Sequence, residues 1–140
     1  MRKIVCIAFV ISLLGACNVS LQDRVLDIGD QSQLQKRAYQ SRVFETSDKE
    51  RVMRGVISTL QDLSFLIERA DMTLGSVTAT KFDQGLPIRI TVTVRAKGTT
   101  QMSVRANAQF NLEPIETPTS YQDLFASLEK SLYLTAHLGD

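Results

Sequence analysis

The feature that leaves this chain least freedom is the run from Pro87 to Leu112, in which apolar and polar residues alternate almost without error. Ile88, Ile90, Val92, Val94 and Ala96 fall on one side of an extended backbone, and Arg89, Thr91, Thr93, Arg95 and Lys97 on the other. Beyond Gly98 the pattern resumes. Met102, Val104, Ala106, Ala108, Phe110 and Leu112 share one face, with Gln101, Ser103, Arg105, Asn107, Gln109 and Asn111 opposite. This is the pattern of a β-hairpin with one buried and one wet face. Both apolar rows lie on the same side only if paired residue numbers sum to an even number. That parity excludes a two-residue turn and places a three-residue loop at Gly98-Thr99-Thr100, with Val94 opposite Val104 and Val92 opposite Ala106.

The flanking segments supply what the apolar face needs. Ser41 to Glu45 reads as a first strand. Ser47 as N-cap, Asp48 in the first turn and Glu50 completing a capping box then start a helix. Met53, Val56, Ile57, Leu60 and Leu63 form its apolar stripe, while Lys49, Arg51, Arg54, Gln61 and Asp62 turn to water. Phe65 to Arg69 reads as a second strand, Asp71 to Gly75 as a turn, and Val77 to Phe82 as a third strand ending at Asp83-Gln84-Gly85. In that third strand Val77, Ala79 and Lys81 share one face. After the hairpin, Glu113 to Thr119 holds Pro114 and Pro118 and reads as a loop. Thr119 or Ser120 caps a last helix lined by Tyr121, Leu124, Phe125, Leu128, Leu132 and Thr135, with Gly139 just past its end. The order β-α-β-β-β-β-α predicts an α+β domain over residues 39–140: an antiparallel five-stranded sheet with two helices packed on one face.

The N-terminus reads differently. Arg2 and Lys3 precede an apolar run, Ile4 to Leu14, whose eleven residues are too few to span a bilayer as a permanent helix. Leu14-Gly15-Ala16-Cys17 resembles the lipobox of bacterial lipoproteins. The resemblance implies a signal peptide over residues 1–16, acylation of Cys17 and attachment through acyl chains worth about 0.8 kcal/mol per buried methylene. Asn18 follows the cysteine, which in the enterobacterial sorting pattern allows export outward and implies the periplasmic face of the outer membrane. Residues 17–38 are polar and rich in glutamine (Gln22, Gln31, Gln33, Gln35). They read as a flexible tether reaching about 25 Å on average. A short helix within Asp30 to Ala38 is the alternative.

Several kinds of chemistry lack their residues. Cys6 lies in the leader and acylation would consume Cys17, so no thiol remains for a disulfide, a metal or a nucleophile. His137 is the only histidine, placed in the last turn of the final helix where a cation is mildly favourable, and a metal set would need more. Glu113 and Glu116 flank Pro114 on a loop and read as solvated carboxylates. Gly75 and Gly85 are isolated turn glycines with no phosphate-cradling series. Without Arg2 and Lys3 the sixteen basic residues become fourteen against fifteen acidic ones, a formal charge of −1 that gives no bulk attraction to nucleic acid. No enzyme, cofactor or metal is expected.

The wet face of the hairpin carries Arg89, Arg95, Lys97 and Arg105 among threonines and amides, with no carboxylate. Such a face is either a solvated outer surface whose charges prevent stacking, or a positive platform for an acidic protein surface, peptidoglycan or lipid headgroups. The lack of aromatic residues on it argues against sugar stacking or single-stranded nucleic acid.

A capped helix ending Leu63-Ser64-Phe65, followed by Ile67, Asp71, Gly75, Val77 and Ala79, resembles the repeated domains of BamC, the outer-membrane assembly lipoprotein, and other small helix-grip envelope lipoproteins. The likeness runs from about Phe44 to Ala79, and Ser64 stands where that pattern commonly has glycine. It implies a helix-grip fold and an envelope location. The expected function is that of a non-enzymatic accessory or scaffold subunit of an envelope complex for secretion or outer-membrane assembly. The competing expectation is a carrier of a small apolar ligand or lipid, in a cavity between the sheet and the C-terminal helix.

Overall fold

The computed structural model describes residues 32–137. The expected signal peptide, Cys17, the tether up to residue 31 and Gly139 lie outside the described residues. The elements run α1 (32–39), β1 (Ser41–Phe44), α2 (Lys49–Asp62), β2 (Leu66–Asp71), β3 (Ser76–Asp83), β4 (Leu86–Lys97), β5 (Gln101–Phe110), β6 (Glu113–Pro114) and α3 (Pro118–His137). All six strands belong to one sheet ordered β1-β5-β4-β3-β2, with β6 also on β5, and every pairing is antiparallel. Parity decided the centre of this sheet: Val92 faces Ala106, Val94 faces Val104, and residues 98–100 form the loop between Lys97 and Gln101.

Two elements exceed the five strands and two helices read from the sequence. β6 occupies part of the stretch that its prolines mark as a loop. Pro114 is tolerated there because the strand is an edge of two residues, where a missing N–H leaves no ladder bond unmade. The other is α1, inside the expected tether. Tyr39 at its end stacks at 5.5 Å between ring centroids on Tyr121, and Lys36 donates a 2.5 Å hydrogen bond to Glu116. That hydrogen bond raises the Lys36 pKa above its usual value. A raised lysine loses its contribution only as pH climbs through the raised value, so this link stays charged throughout the neutral range.

Helix α2 starts one residue later than the capping box suggested. Asp48 is the N-cap, its carboxylate accepting the Arg51 N–H at 2.9 Å, while Thr46 Oγ1 accepts the Asp48 N–H. The buried face comprises Val52, Met53, Gly55, Val56, Thr59 and Leu60; Ile57 and Leu63 are only half-buried. At its other end the Phe65 N–H donates to the Leu60 carbonyl and the Ser64 N–H to the Gln61 carbonyl, with Ser64 at φ 66°. This is a Schellman closure with serine in the left-handed position that glycine usually fills, and it shifts the start of β2 from Phe65 to Leu66.

Helix α3 begins at Pro118, ahead of the expected Thr119 or Ser120 cap, because proline's fixed φ and absent N–H suit a first helical turn. Tyr121, Leu124, Phe125, Leu128 and Leu132 are buried, while Thr135 and His137 belong to the helix by their backbone. Both α2 and α3 lie on the inner face, over Val77, Ala79, Ile90, Val92, Val94, Met102, Val104 and Ala106. They meet closely at Gly55, where an added Cβ would stand 2.7 Å from Leu132 Cδ2. Arg51, read as solvent-facing, instead donates to the Leu132 carbonyl at 2.9 Å.

Two positions with the same left-handed backbone should respond in opposite senses. Ser64→Gly removes a Cβ from a strained conformation and should raise stability by up to about 1 kcal/mol. Gly75→Ala should lower it by at least about 2 kcal/mol, because Gly75 (φ 67°) also packs its Cα against the carbonyl oxygen of Val94. Urea unfolding checks both through a midpoint that moves up for the first and down for the second at unchanged slope.

Candidate functional site

With both long helices on the inner face, the outer face of the sheet is left open among the described residues. Arg89, Arg95, Lys97 and Arg105 are all exposed there. They do not form one platform. Arg95 pairs with Ser103 and Arg105 with Thr93, so the two arginines are diagonal neighbours, about 7 Å apart at the backbone. Lys97 lies two residues along β4 from Arg95, at a similar distance. Arg89 is six residues from Arg95 on the same strand, about 20 Å away.

The hairpin's outer row has no acid, but β2, one strand beyond β3, brings two. A bulge between Ile67 and Arg69 leaves Glu68 unpaired, and its Oε2 lies 3.9 Å from Arg89 Nε. Asp71 lies 4.0 Å from Arg69. Arg89 therefore belongs to a mixed-charge region. At the opposite end, Arg95, Lys97 and Arg105 have no carboxylate within 4.0 Å among the described residues. Glu45 near that end already accepts a 2.5 Å hydrogen bond from Gln101. Like-charged side chains this close, in water and without counter-charges, make a small positive patch on a rigid hairpin.

On the inner face the two helices part company. Beside Val56, Thr59 and Phe125 the remaining void is only about 10 Å³. Toward the end of α2 and the start of α3 a cleft of about 300 Å³ opens, near the lower bound for small-ligand pockets. Ile88, Ile90 and Ala108 of the sheet form its floor. Leu63 and Phe65 stand on one side, with Tyr121 and Leu124 on the other. Its polar groups are Lys81, Ser120 and Asp123. The Lys81 ammonium sits 4.6 Å from the centre of the Phe65 ring, a cation–π distance.

Tyr121 holds the frame of this cleft. Its buried hydroxyl accepts the Ala108 N–H at 3.2 Å and donates to the Ile115 carbonyl at 2.7 Å. The sheet, the segment after β6 and α3 are thereby tied at one oxygen. Beyond an apolar helical position, no residue pattern marks that link. A signal for the cleft was present in Lys81, a cation on the otherwise apolar row of β3.

Of the two carboxylates flanking Pro114, Glu116 is engaged by Lys36 and Glu113 lies in β6. Among the described residues no three histidine, cysteine or acidic side chains are grouped to hold a metal ion, and no helix is long and apolar enough to cross a membrane. No protein-family model matches this chain, and no curated protein matches it either.

Proposed function

We propose that the chain is a non-enzymatic, lipid-anchored lipoprotein on the periplasmic face of the outer membrane, serving as an accessory or scaffold subunit of a secretion or outer-membrane assembly complex. The observation that carries the docking part is the patch of Arg95, Lys97 and Arg105, exposed on the outer face of the sheet without acidic partners among the described residues. An acidic protein surface is the partner whose charge it complements. Exposed charges of this kind mainly set encounter rate and partner choice. The anchor rests on Leu14-Gly15-Ala16-Cys17 and the leader before it. A helix-grip lipoprotein of the BamC kind is supported at Ser64, whose positive φ is the conformation that makes glycine common at that place. A second reading, as a carrier of a small apolar ligand, is favoured by the cleft beside α3.

Charge reversal at Arg95, Lys97 and Arg105 together should abolish recovery of the partner in a crosslinked pull-down from intact envelopes. Each change should cost no more than about 0.5 kcal/mol of stability, since all three side chains are exposed. Val104→Asp, by contrast, should unfold the domain by burying an unpaired charge at a fully buried position. Recovery of the same partners at the same level by wild type and the triple variant would reduce the outer face to a solvated surface. Cys17→Ala should release the domain from membranes or leave an uncleaved precursor, read by fractionation and intact mass; unchanged attachment and processing would remove the anchor from the proposal.

A further inference from the structure

At the cleft end the apolar inner face continues past the helices. Along β4 the exposure of the inner row falls from 42% at Leu86 to 5% at Ile90 and 1% at Val94. Across the strand, Phe110 faces Ile88, and Phe110 and Leu112 are 36% and 83% exposed. The cleft floor at Ile88 is therefore continuous with an uncovered apolar strip leading out of the domain. One cation lines this cleft, on the sheet side, with Ser120 and Asp123 on the α3 side. Lys81 pairs with Ile88 in the ladder, lines the cleft, and has no carboxylate within 4.0 Å among the described residues. Its stem lies along apolar surface and its ammonium is held over Phe65, an arrangement that keeps a charge beside a greasy cavity.

From this juxtaposition we infer that the cleft binds a single-chain amphiphile with an anionic head, its chain on Ile88 and Ile90 and its head at Lys81. The inference deepens the carrier reading and does not depend on the cationic patch, which lies on the opposite face toward the other end of β4. Size and charge select the occupant. A volume of about 300 Å³ accommodates one short chain and leaves no room for a two-chain lipid to be enclosed. The open strip at Leu86 and Phe110 allows a longer chain to trail out. Asp123, exposed on the α3 side of the cleft, opposes an anionic head and so limits its affinity. That gives the two rim charges opposite effects on the same ligand.

Calorimetric titration of the full chain carrying Cys17→Ser, with dodecanoate below its micellar concentration, tests the assignment. Saturable binding at one site is expected, with a negative heat-capacity change from apolar burial. Lys81→Gln should weaken it at least tenfold, Lys81→Arg should largely restore it, and Asp123→Asn should tighten it. Arg105→Gln, remote from the cleft, should leave it unchanged. Decanoate should bind about tenfold more weakly than dodecanoate, as expected for two fewer buried methylenes. Dodecyltrimethylammonium should bind wild type at least tenfold more weakly than dodecanoate, and the preference should reverse in Lys81→Gln, where Asp123 is the remaining rim charge. Equal binding of the two headgroups by wild type would overturn the assignment of the anionic head while sparing the carrier reading. Absence of saturable binding for both would overturn the two together.

Discussion

Parity in the β4–β5 register is the constraint on which the rest of this fold depends. Side chains alternate faces with a period of two, so a slip of one residue would turn one strand over against the other, carrying either Val92 and Val94 or Val104 and Ala106 from the core into water and bringing Arg95 or Arg105 under the helices. No rearrangement of α2 or α3 could absorb that exchange. The inner row also fixes the positions of the flanking strands: Val77 and Ala79 extend it through β3, and Phe44 extends it opposite Met102 through β1. Arg42 falls on the same inner row, yet at the sheet edge it escapes burial by reaching over the Phe125 ring toward Glu129.

The helices then decide which part of the inner face is closed. Gly55 is a costly residue inside a helix by propensity, and its place is explained by the approach of Leu128 and Leu132. Close contact there, reinforced by Arg51 on the Leu132 carbonyl, leaves the opposite ends of the two helices apart. Phe65 and Tyr121 each have a polar or backbone contact that holds an edge of the gap, so the cleft is framed by satisfied groups.

Sequence reasoning succeeded where one periodicity dominated. The hairpin, its loop length and its register were all legible because a single alternating pattern ran through two strands. The long helices were legible from their apolar stripes, though burial of Gly55 and Thr59 was not, since neither residue type announces a core position. Boundaries failed where short-range hydrogen bonds competed: Asp48 displaced Ser47 as cap, and the Ser64 closure moved the start of β2. β6 was masked by its proline although Gln109 and Phe110 lie only a turn away, whereas α1, open in the sequence only as an alternative to a tether, is held by distant partners, Tyr121 and Glu116. For the candidate sites, the four cations lie on the expected face and the distance of Arg89 from the others follows from its spacing along β4, but its acidic neighbour Glu68 stands at a bulge in β2 that no local pattern marks. Lys81 was visible as an exception on its strand; that it would border a cleft required the divergence of two helices far apart in the chain.

The strand order has a consequence for how the chain reaches this state. β1, first among the strands, pairs with β5 rather than with its neighbours in sequence, joining Ser41 to Arg105 and Phe44 to Met102. The hairpins among β2, β3, β4 and β5 are sequential and can form by local closure, whereas the β1 edge requires a loop of some sixty residues to close first. Tyr121 completes that edge further along, and it is made later still by any ribosome. Until β1 and α3 are in place the β5 edge of the ladder stands without its partners, so the slowest step in acquiring the structure should be the docking of these two elements.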